Sequence, residues 1–260
     1  MLRPRLIPCL LVQGGGLVKT VKFANPKYVG DPINAVRIFN EKAVDELSVF
    51  DIDATKNARD PDYRMIANLA NECRMPLCYG GGVRSAAQIE RIIGLGVEKV
   101  ALGAAAVEQQ GLVAQAAAHV GSQSIVVVID VKRTGLLRRY EVTTRNATTR
   151  TGRDPVEFAR EVEAQGAGEI VLNSVDHDGG MLGYDMELVQ RVREAVTVPI
   201  TVLGGAGDMK HPVELYRRFG IIGAAAGSMF VFKGRYRAVL INYPNATEKA
   251  AFLAEAGFAA

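Results

Sequence analysis

Eight short apolar runs, each separated from the next by a segment of helical period, restrict this chain to very few folds. The runs fall near 5–12 (RLIPCLLV), 46–52 (ELSVFDI), 76–80 (PLCYG), 98–103 (EKVALG), 124–130 (SIVVVID), 169–174 (EIVLNS), 198–203 (VPITVL) and 221–226 (IIGAAA). Amphipathic patterns occupy 32–43, 62–73, 85–95, 109–119, 154–165, 184–195 and 209–219. Strands that are apolar on both faces and alternate with helices indicate a parallel sheet covered on both sides. Eight such units without a linker or composition break predict a closed (β/α)8 barrel, an α/β fold. A length of 260 residues suits one such barrel. The expected organisation is a single domain over 1–260, with 237–260 as a C-terminal extension packed on it.

The chain also repeats itself. FDIDAT (50–55) matches SVDHDG (174–179), YGGGVRS (79–85) matches LGGAGDM (203–209), and VALGAAA (100–106) resembles GAAAGSM (223–229). Asp53 and Asp176 are 123 positions apart, and Gly81 and Gly205 are 124 apart. A constant offset near half the length predicts two stacked half-barrels with equivalent phosphate sites. The connection 13–31, with Gly14, Gly15 and Gly16, is too long for a passive turn and reads as a mobile active-site loop.

Composition excludes several function classes. A net charge of +3 with scattered Lys and Arg gives no nucleic-acid footprint. Cys9, Cys73 and Cys78 form neither a disulfide framework nor a zinc pattern, and His119, His177 and His211 are not spaced as ligands. No metal and no cofactor is expected. The opening MLRPRLIPCLLVQGGG is too short in apolar character for a signal peptide, and no run could span a bilayer. A cytoplasmic protein without a membrane or nucleic-acid partner is the expectation.

The chemistry-bearing residues cluster at the C-terminal ends of the runs. Gly80-Gly81-Gly82 and Gly204-Gly205-Ala206-Gly207 each follow a strand and precede a helix, where bare backbone N–H groups can hold an anion. Gly227-Ser228 adds a hydroxyl after the eighth run, a common phosphate position in barrels. Gly81, Gly82, Gly103, Gly205, Gly207, Gly227 and Ser228 are therefore the candidate phosphate ligands. Asp130 closes SIVVVID and projects into the mouth as a candidate general acid or base. Asp51 and Asp53 read as loop-fixing groups, and Asp176-His177-Asp178 reads as a polar loop. At the opposite ends, Arg5, Glu46, Lys99 and Glu169 stand at the starts of strands one, two, four and six. From spacing alone they are ordinary solvated charges.

The motifs IPCLLV (7–12), LVKTVKF (17–23), GDPINA (30–35), VDELSVFDI (44–52), GGGVRS (80–85), GSQSIVVVIDVKR (121–133), TGRDPVEFAREVEAQGAGEI (151–170), DHDGGMLGYD (176–185) and GGAG (204–207) resemble the HisF family. HisF is the cyclase subunit of imidazole glycerol phosphate synthase, and the resemblance runs from residue 2 to about 232. It implies a barrel that docks a HisH-like glutaminase on its N-terminal face and passes ammonia up its axis to a phosphorylated small molecule. It also implies that Arg5, Glu46, Lys99 and Glu169 form a charged gate for that ammonia. Lys19 would reach over the ligand, and Asp130, helped by Asp176, would act on it.

Two departures stand out. Where the family carries an aspartate at the end of strand one, this chain has Leu11. Where the fourth strand carries polar side chains, it has Ala101, Gly103 and Ala104. FDIDAT (50–55), PLCYGGG (76–82) and the tail RAVLINYP (237–244) resemble the HisF-like proteins associated with acetamidino modification of O-antigen and other surface-glycan sugars, which accompany a glutaminase and a sugar amidotransferase. That branch implies ammonia delivery with altered acceptor chemistry. The alternative is an authentic cyclase making imidazole glycerol phosphate in histidine biosynthesis.

Overall fold

The computed structural model describes residues 3–258. Its centre is a closed ring of eight parallel strands: β1 (Arg5–Gln13), β2 (Leu47–Asp51), β3 (Leu77–Gly80), β4 (Lys99–Leu102), β5 (Ile125–Thr134), β6 (Glu169–Ser174), β7 (Ile200–Leu203) and β8 (Gly223–Ala226). Each pairs with the next in parallel, and β8 closes on β1 through the register Arg5 to Gly223. Every expected apolar run is a barrel strand, to within a few residues at the ends.

Ten α-helices are present among the described residues: α1 (Pro32–Glu41), α2 (Tyr63–Glu72), α3 (Ala86–Gly94), α4 (Ala104–Glu108), α5 (Leu112–Val120), α6 (Pro155–Ala164), α7 (Met186–Arg193), α8 (Lys210–Phe219), α9 (Ser228–Val231) and α10 (Ala246–Glu255). Asp31, Asp62, Ser85, Asp154 and Asp185 cap α1, α2, α3, α6 and α7, each accepting from a backbone N–H of the first turn. Proline follows the cap in α1 and α6, where its missing donor costs nothing.

The strand period of two sorts side chains into two cores. Outward positions such as Leu6, Leu10, Leu47, Val49, Ile125 and Val127 pack under the helices. Inward positions Ile7, Cys9, Cys78, Ala101, Val126, Val171, Leu203 and Ala225 fill the barrel axis. The same period fixes both ends of the axis. Along β1 the inward face reads Arg5, Ile7, Cys9, Leu11; along β6 it reads Glu169, Val171, Asn173. A charge at the start of an inward column is therefore carried on the floor of the barrel, and the last residue of the column looks into its mouth.

Segment 13–31, expected as a mobile active-site loop, has regular structure and brings Lys19, Thr20 and Phe23 to the mouth. It is an antiparallel hairpin, Gly16–Val21 with Ala24–Gly30, that continues β1 upward. A second hairpin continues β5: Asp130–Thr134 pairs antiparallel with Arg139–Thr144. The C-terminal segment returns to the floor, where the Tyr243 hydroxyl donates to Leu6 O at 2.9 Å and Lys249 pairs with Asp45. No helix among the described residues is long and apolar enough to cross a membrane.

Candidate functional site

A cavity opens at the C-terminal ends of the strands, and its lining draws on both half-barrels: Gly80, Gly81, Gly103 and Ala104 from one, Gly204, Gly205, Gly227 and Ser228 from the other. Between them lie Asp130, Asn173, Asp178, Lys19 and Leu11.

Asp130 ends the inward column of β5. Asn173, at the matching position of β6, donates from Nδ2 to Asp130 Oδ1 at 2.8 Å. Burial pushes the Asp130 carboxyl up to about 7; the Asn173 bond opposes the shift and the nearby Asp178 adds to it. A carboxyl that exchanges its proton near neutrality can serve as acid or base in the same turnover.

Lys19 sits on the first hairpin and turns inward rather than out over solvent. It is buried, and its Nζ donates to Cys9 O at 2.6 Å. A Cβ placed on Gly227 would fall 2.6 Å from that same Nζ, so the amine lies directly beside the Gly227-Ser228 loop. Burial lowers the Lys19 pKa, with Cys9 and Asp178 acting against the shift. A cation beside a helix-starting glycine is a suitable anchor for a phosphate oxygen.

The acid near Lys19 is Asp178, and this differs from the expectation of Asp176. After β6 the chain coils, with the N–H groups of both His177 and Asp178 bonded to Ser174 O. That turn aims the two acids in opposite directions. Asp176 accepts from the backbone N–H of Arg133 at 2.8 Å and does not line the cavity. Asp178 accepts from Thr20 Oγ1 at 2.7 Å and Phe23 N at 3.1 Å, which ties the first hairpin across the mouth. His177 meets Ser174 Oγ at 2.8 Å, so this polar triplet points three ways.

Of the expected phosphate ligands, Gly81, Gly103, Gly205, Gly227 and Ser228 line the cavity, while Gly82 and Gly207 do not. Both of the latter spend their N–H groups within the protein: Gly82 on Thr55 Oγ1 at 3.2 Å, Gly207 on His211 Nδ1 at 3.0 Å. Gly81 and Gly205 occupy equivalent turns with φ of 122° and 114°. A Cβ there would lie 2.4 Å from Asp51 O and 2.0 Å from Gly183 O, so packing alone requires glycine at both. Gly103 has open space around it, which leaves its backbone accessible. Arg145 and Asn146 also line the cavity; they come from the turn that follows Arg139–Thr144 and carried no motif that could mark them. Asp51 accepts from Asp53 N and Ala54 N and pairs with Arg59, an arrangement that holds the loop after β2.

At the other end, the four charges that spacing leaves as solvated are one closed network. Lys99 Nζ lies 2.9 Å from both Glu46 Oε2 and Glu169 Oε2. Arg5 pairs with Glu46 and reaches Glu169 Oε1 at 2.7 Å. Thr201 Oγ1 adds a donor to Glu169. Both glutamates are buried, and burial, which would raise the Glu169 pKa, is outweighed by Arg5 and Lys99, which hold it below the usual carboxylate range. Above this ring the axis is apolar up to Leu11, Phe50 and Val128 at the cavity. Burial pushes the Cys9 thiol to about 12 and Cys78 well above its ordinary value, so both stay uncharged.

The chain matches the histidine biosynthesis protein family over residues 5–237. It is 54% identical over 251 residues to a protein of Leptospira borgpetersenii, covering 96% of this chain and 99% of that one. That relative is provisionally named imidazole glycerol phosphate synthase subunit HisF. The chain belongs to the HisF family. A Vibrio vulnificus relative of the same provisional naming, subunit hisF3, is 52% identical and covers 96% of both chains. A Pseudomonas aeruginosa relative, subunit hisF2, is 49% identical, covering 94% of this chain and 97% of its own. This HisF family member thus combines a closed α/β barrel, a floor ring of four charges and a mouth with Asp130 opposite an apolar Leu11 position.

Proposed function

We propose that this HisF family member is the synthase subunit of a glutamine-dependent complex, and that its acceptor chemistry is not that of the histidine pathway. A HisH-like glutaminase docks on the floor, ammonia passes the ring of Arg5, Glu46, Lys99 and Glu169, and the apolar column conducts it to the mouth. Neutral ammonia crosses such a column readily, whereas ammonium would have to shed its hydration. A phosphorylated acceptor is held by Gly81, Gly103, Gly205, Gly227, Ser228 and Lys19, with Asp130 exchanging the proton. The product serves acetamidino modification of a surface-glycan sugar, with a separate sugar amidotransferase as a further partner.

The observation that carries this reading is Leu11, an apolar side chain lining the same cavity as Asp130. A leucine cannot move protons, and one positioned acid or base is worth about 10²–10⁴-fold in rate. The test is turnover of the histidine-pathway bisphosphate with excess ammonium salt, comparing wild type with Leu11→Asp. No wild-type turnover, with activity gained in Leu11→Asp, supports altered chemistry. Clear wild-type turnover overturns it.

One observation favours a second reading, the authentic cyclase. Asp178 also lines the cavity, and burial raises its pKa, partly offset by Phe23 N, Thr20 and Lys19. It could supply the second carboxyl in place of residue 11. Wild-type turnover lost in Asp178→Asn would establish that reading.

A further inference from the structure

Part of the rim around the mouth of the barrel carries exposed apolar side chains. Of the ten large hydrophobic residues exposed among the described residues, eight lie on segments that leave the C-terminal ends of β1, β5, β6 and β8. Only Ile38 and Ile221 lie elsewhere. The most prominent are at turns that project: Leu136 is fully exposed and Leu137 is 74% exposed at the tip of the β5 hairpin. Leu182 follows β6 at 88%, and Tyr236 follows α9 at 91%.

These segments are also free of acid. No Asp or Glu occurs in 14–30, 134–140, 179–184 or 227–247. Cations sit beside the apolar tips instead: Arg138 and Arg139 next to the leucine pair, Arg235 and Arg237 around Tyr236, and Lys22 and Lys27 on the first hairpin. None of these six forms an ion pair among the described residues, whereas Arg133 in β5 and Arg150, which pairs along the second strand of its hairpin, are held by Glu187 and Glu141. The hairpins are stiffly mounted, through the five-residue register of Asp130–Thr134 on Arg139–Thr143 and through Arg237 donating to Gly179 O at 2.9 Å.

We propose that this rim docks on an anionic membrane surface, with the mouth of the barrel turned towards the lipid. Leucines and a tyrosine on separate turns do not form the continuous, shape-matched patch that a rigid protein partner requires. They suit a fluid interface, which each tip enters independently while its arginine stays among the headgroups. Basic residues without an ion-pair partner supply the attraction to anionic lipid, although Arg138 and Arg139 share a groove with Glu141, Asp154 and Glu187. No helix among the described residues is long and apolar enough to cross a bilayer, and contact at its surface needs none. An acceptor carried on a lipid phosphate would then meet the cavity directly. This docking is independent of the catalytic reading, because it is read by binding alone.

The test is co-sedimentation of the full chain with two kinds of vesicle. One is pure phosphatidylcholine; the other is one part phosphatidylglycerol to two parts phosphatidylethanolamine. Binding to the anionic vesicles only, weakening with salt, is expected. Arg138→Gln with Arg139→Gln lowers that affinity by about fivefold for each charge removed. Leu136→Ser with Leu137→Ser lowers it by about tenfold or more. Both pairs are exposed, so the folded barrel is expected to survive, checked by its circular dichroism. Absence of vesicle binding overturns the proposal. So does binding that the arginine pair abolishes and the leucine pair leaves intact, which is the signature of a generic polyanion site. Self-association without lipid that disappears in the leucine variant would make the rim a contact between copies, and overturns it too.

Discussion

The floor and the mouth of this barrel both bury ionisable groups, and they treat them in opposite ways. On the floor two cations and two carboxylates are mutually saturated: each glutamate meets both Arg5 and Lys99. Their charges are locked, with Glu169 held low and Arg5 and Lys99 held high. In the mouth, Asp130 has an amide donor and no ion-pair partner among the described residues, and its pKa rises to about 7. Lys19 is lowered by the same burial. Saturated charges hold a structure and define an aperture; unsaturated ones can take up or release a proton when a ligand arrives. The contrast, taken by itself, favours the mouth as the proposed site of the chemistry.

The largest effect expected from this contrast is on turnover. Asp130→Asn keeps the shape and removes the exchangeable proton, so product formation with saturating ammonium should fall about 10²–10⁴-fold. The same variant should be more stable than wild type above neutral pH. With a folded-state pKa raised to about 7, the contribution of Asp130 is fully present below the ordinary carboxylate range and is lost as pH rises towards 7. Denaturation midpoints between pH 4 and 8 should therefore slope downwards in wild type and less steeply in Asp130→Asn, where Asp51 and Asp178, also raised by burial, keep the remainder. An unchanged slope would mean that Asp130 is already ionised in the fold, and the contrast with the floor would fail.

Breaking the floor should be nearly as costly, in stability. Glu169→Leu leaves two cations sharing Glu46. Removing one partner from a buried network costs about 3–5 kcal/mol, and the partial exposure of Arg5 and Lys99 places this case near 3. The pH sign is the reverse of that at the mouth. Glu169 has a lowered folded-state pKa, so its stabilisation is present above the ordinary carboxylate range and lost as pH falls through the folded value. Glu169→Leu should remove part of the acid limb that wild type shows. If Lys99→Ala uncouples ammonia delivery from glutaminase turnover while leaving ammonium-driven turnover intact, the ring also gates. Unchanged coupling would reduce it to a structural plug.

How much of this was legible in the sequence depends on how each element buries itself. The barrel strands were readable because a strand covered on both faces has no polar option, and IVVVID or EIVLNS allow little else. The two hairpins were not readable. KRTGLLRRYEVTTRNATTR alternates weakly and is rich in residues that serve equally in loops, so nothing in it separates a hairpin from a coil. Asp176 and Asp178 could not be told apart, because spacing fixes direction only along a strand or helix, and the turn after β6 has no period. The ring was hidden for another reason. Its members start strands at positions 5, 46, 99 and 169, and only the closure of the barrel brings them together.

Lys19→Met sharpens the comparison at the scale of about tenfold. Methionine matches the length of the side chain and removes the buried amine, so stability should hold or rise slightly. Loss of Nζ beside Gly227 should weaken binding of inorganic phosphate by about tenfold, measured by isothermal titration. Equal phosphate affinity in both proteins would place the anion site elsewhere on the rim.

The smallest effect tests whether burial, rather than pairing geometry, separates floor from mouth. Arg145 holds Glu108 through two bonds of 3.0 and 2.9 Å, a fork as good as any in the ring. Both side chains are about two-fifths exposed, at 43% and 38%. Water competes for each partner, so Arg145→Gln should cost only about 0–1 kcal/mol. The Asn146 Nδ2 bond to Ile52 O at 2.8 Å keeps the turn in place in either case. If the measured loss matched that of Glu169→Leu, geometry would be the source of stability at both sites, and the saturated floor would owe nothing to its burial. A loss within the small range leaves Arg145 free to turn from Glu108 to an anion in the cavity it lines. The locked ring cannot offer a ligand that exchange.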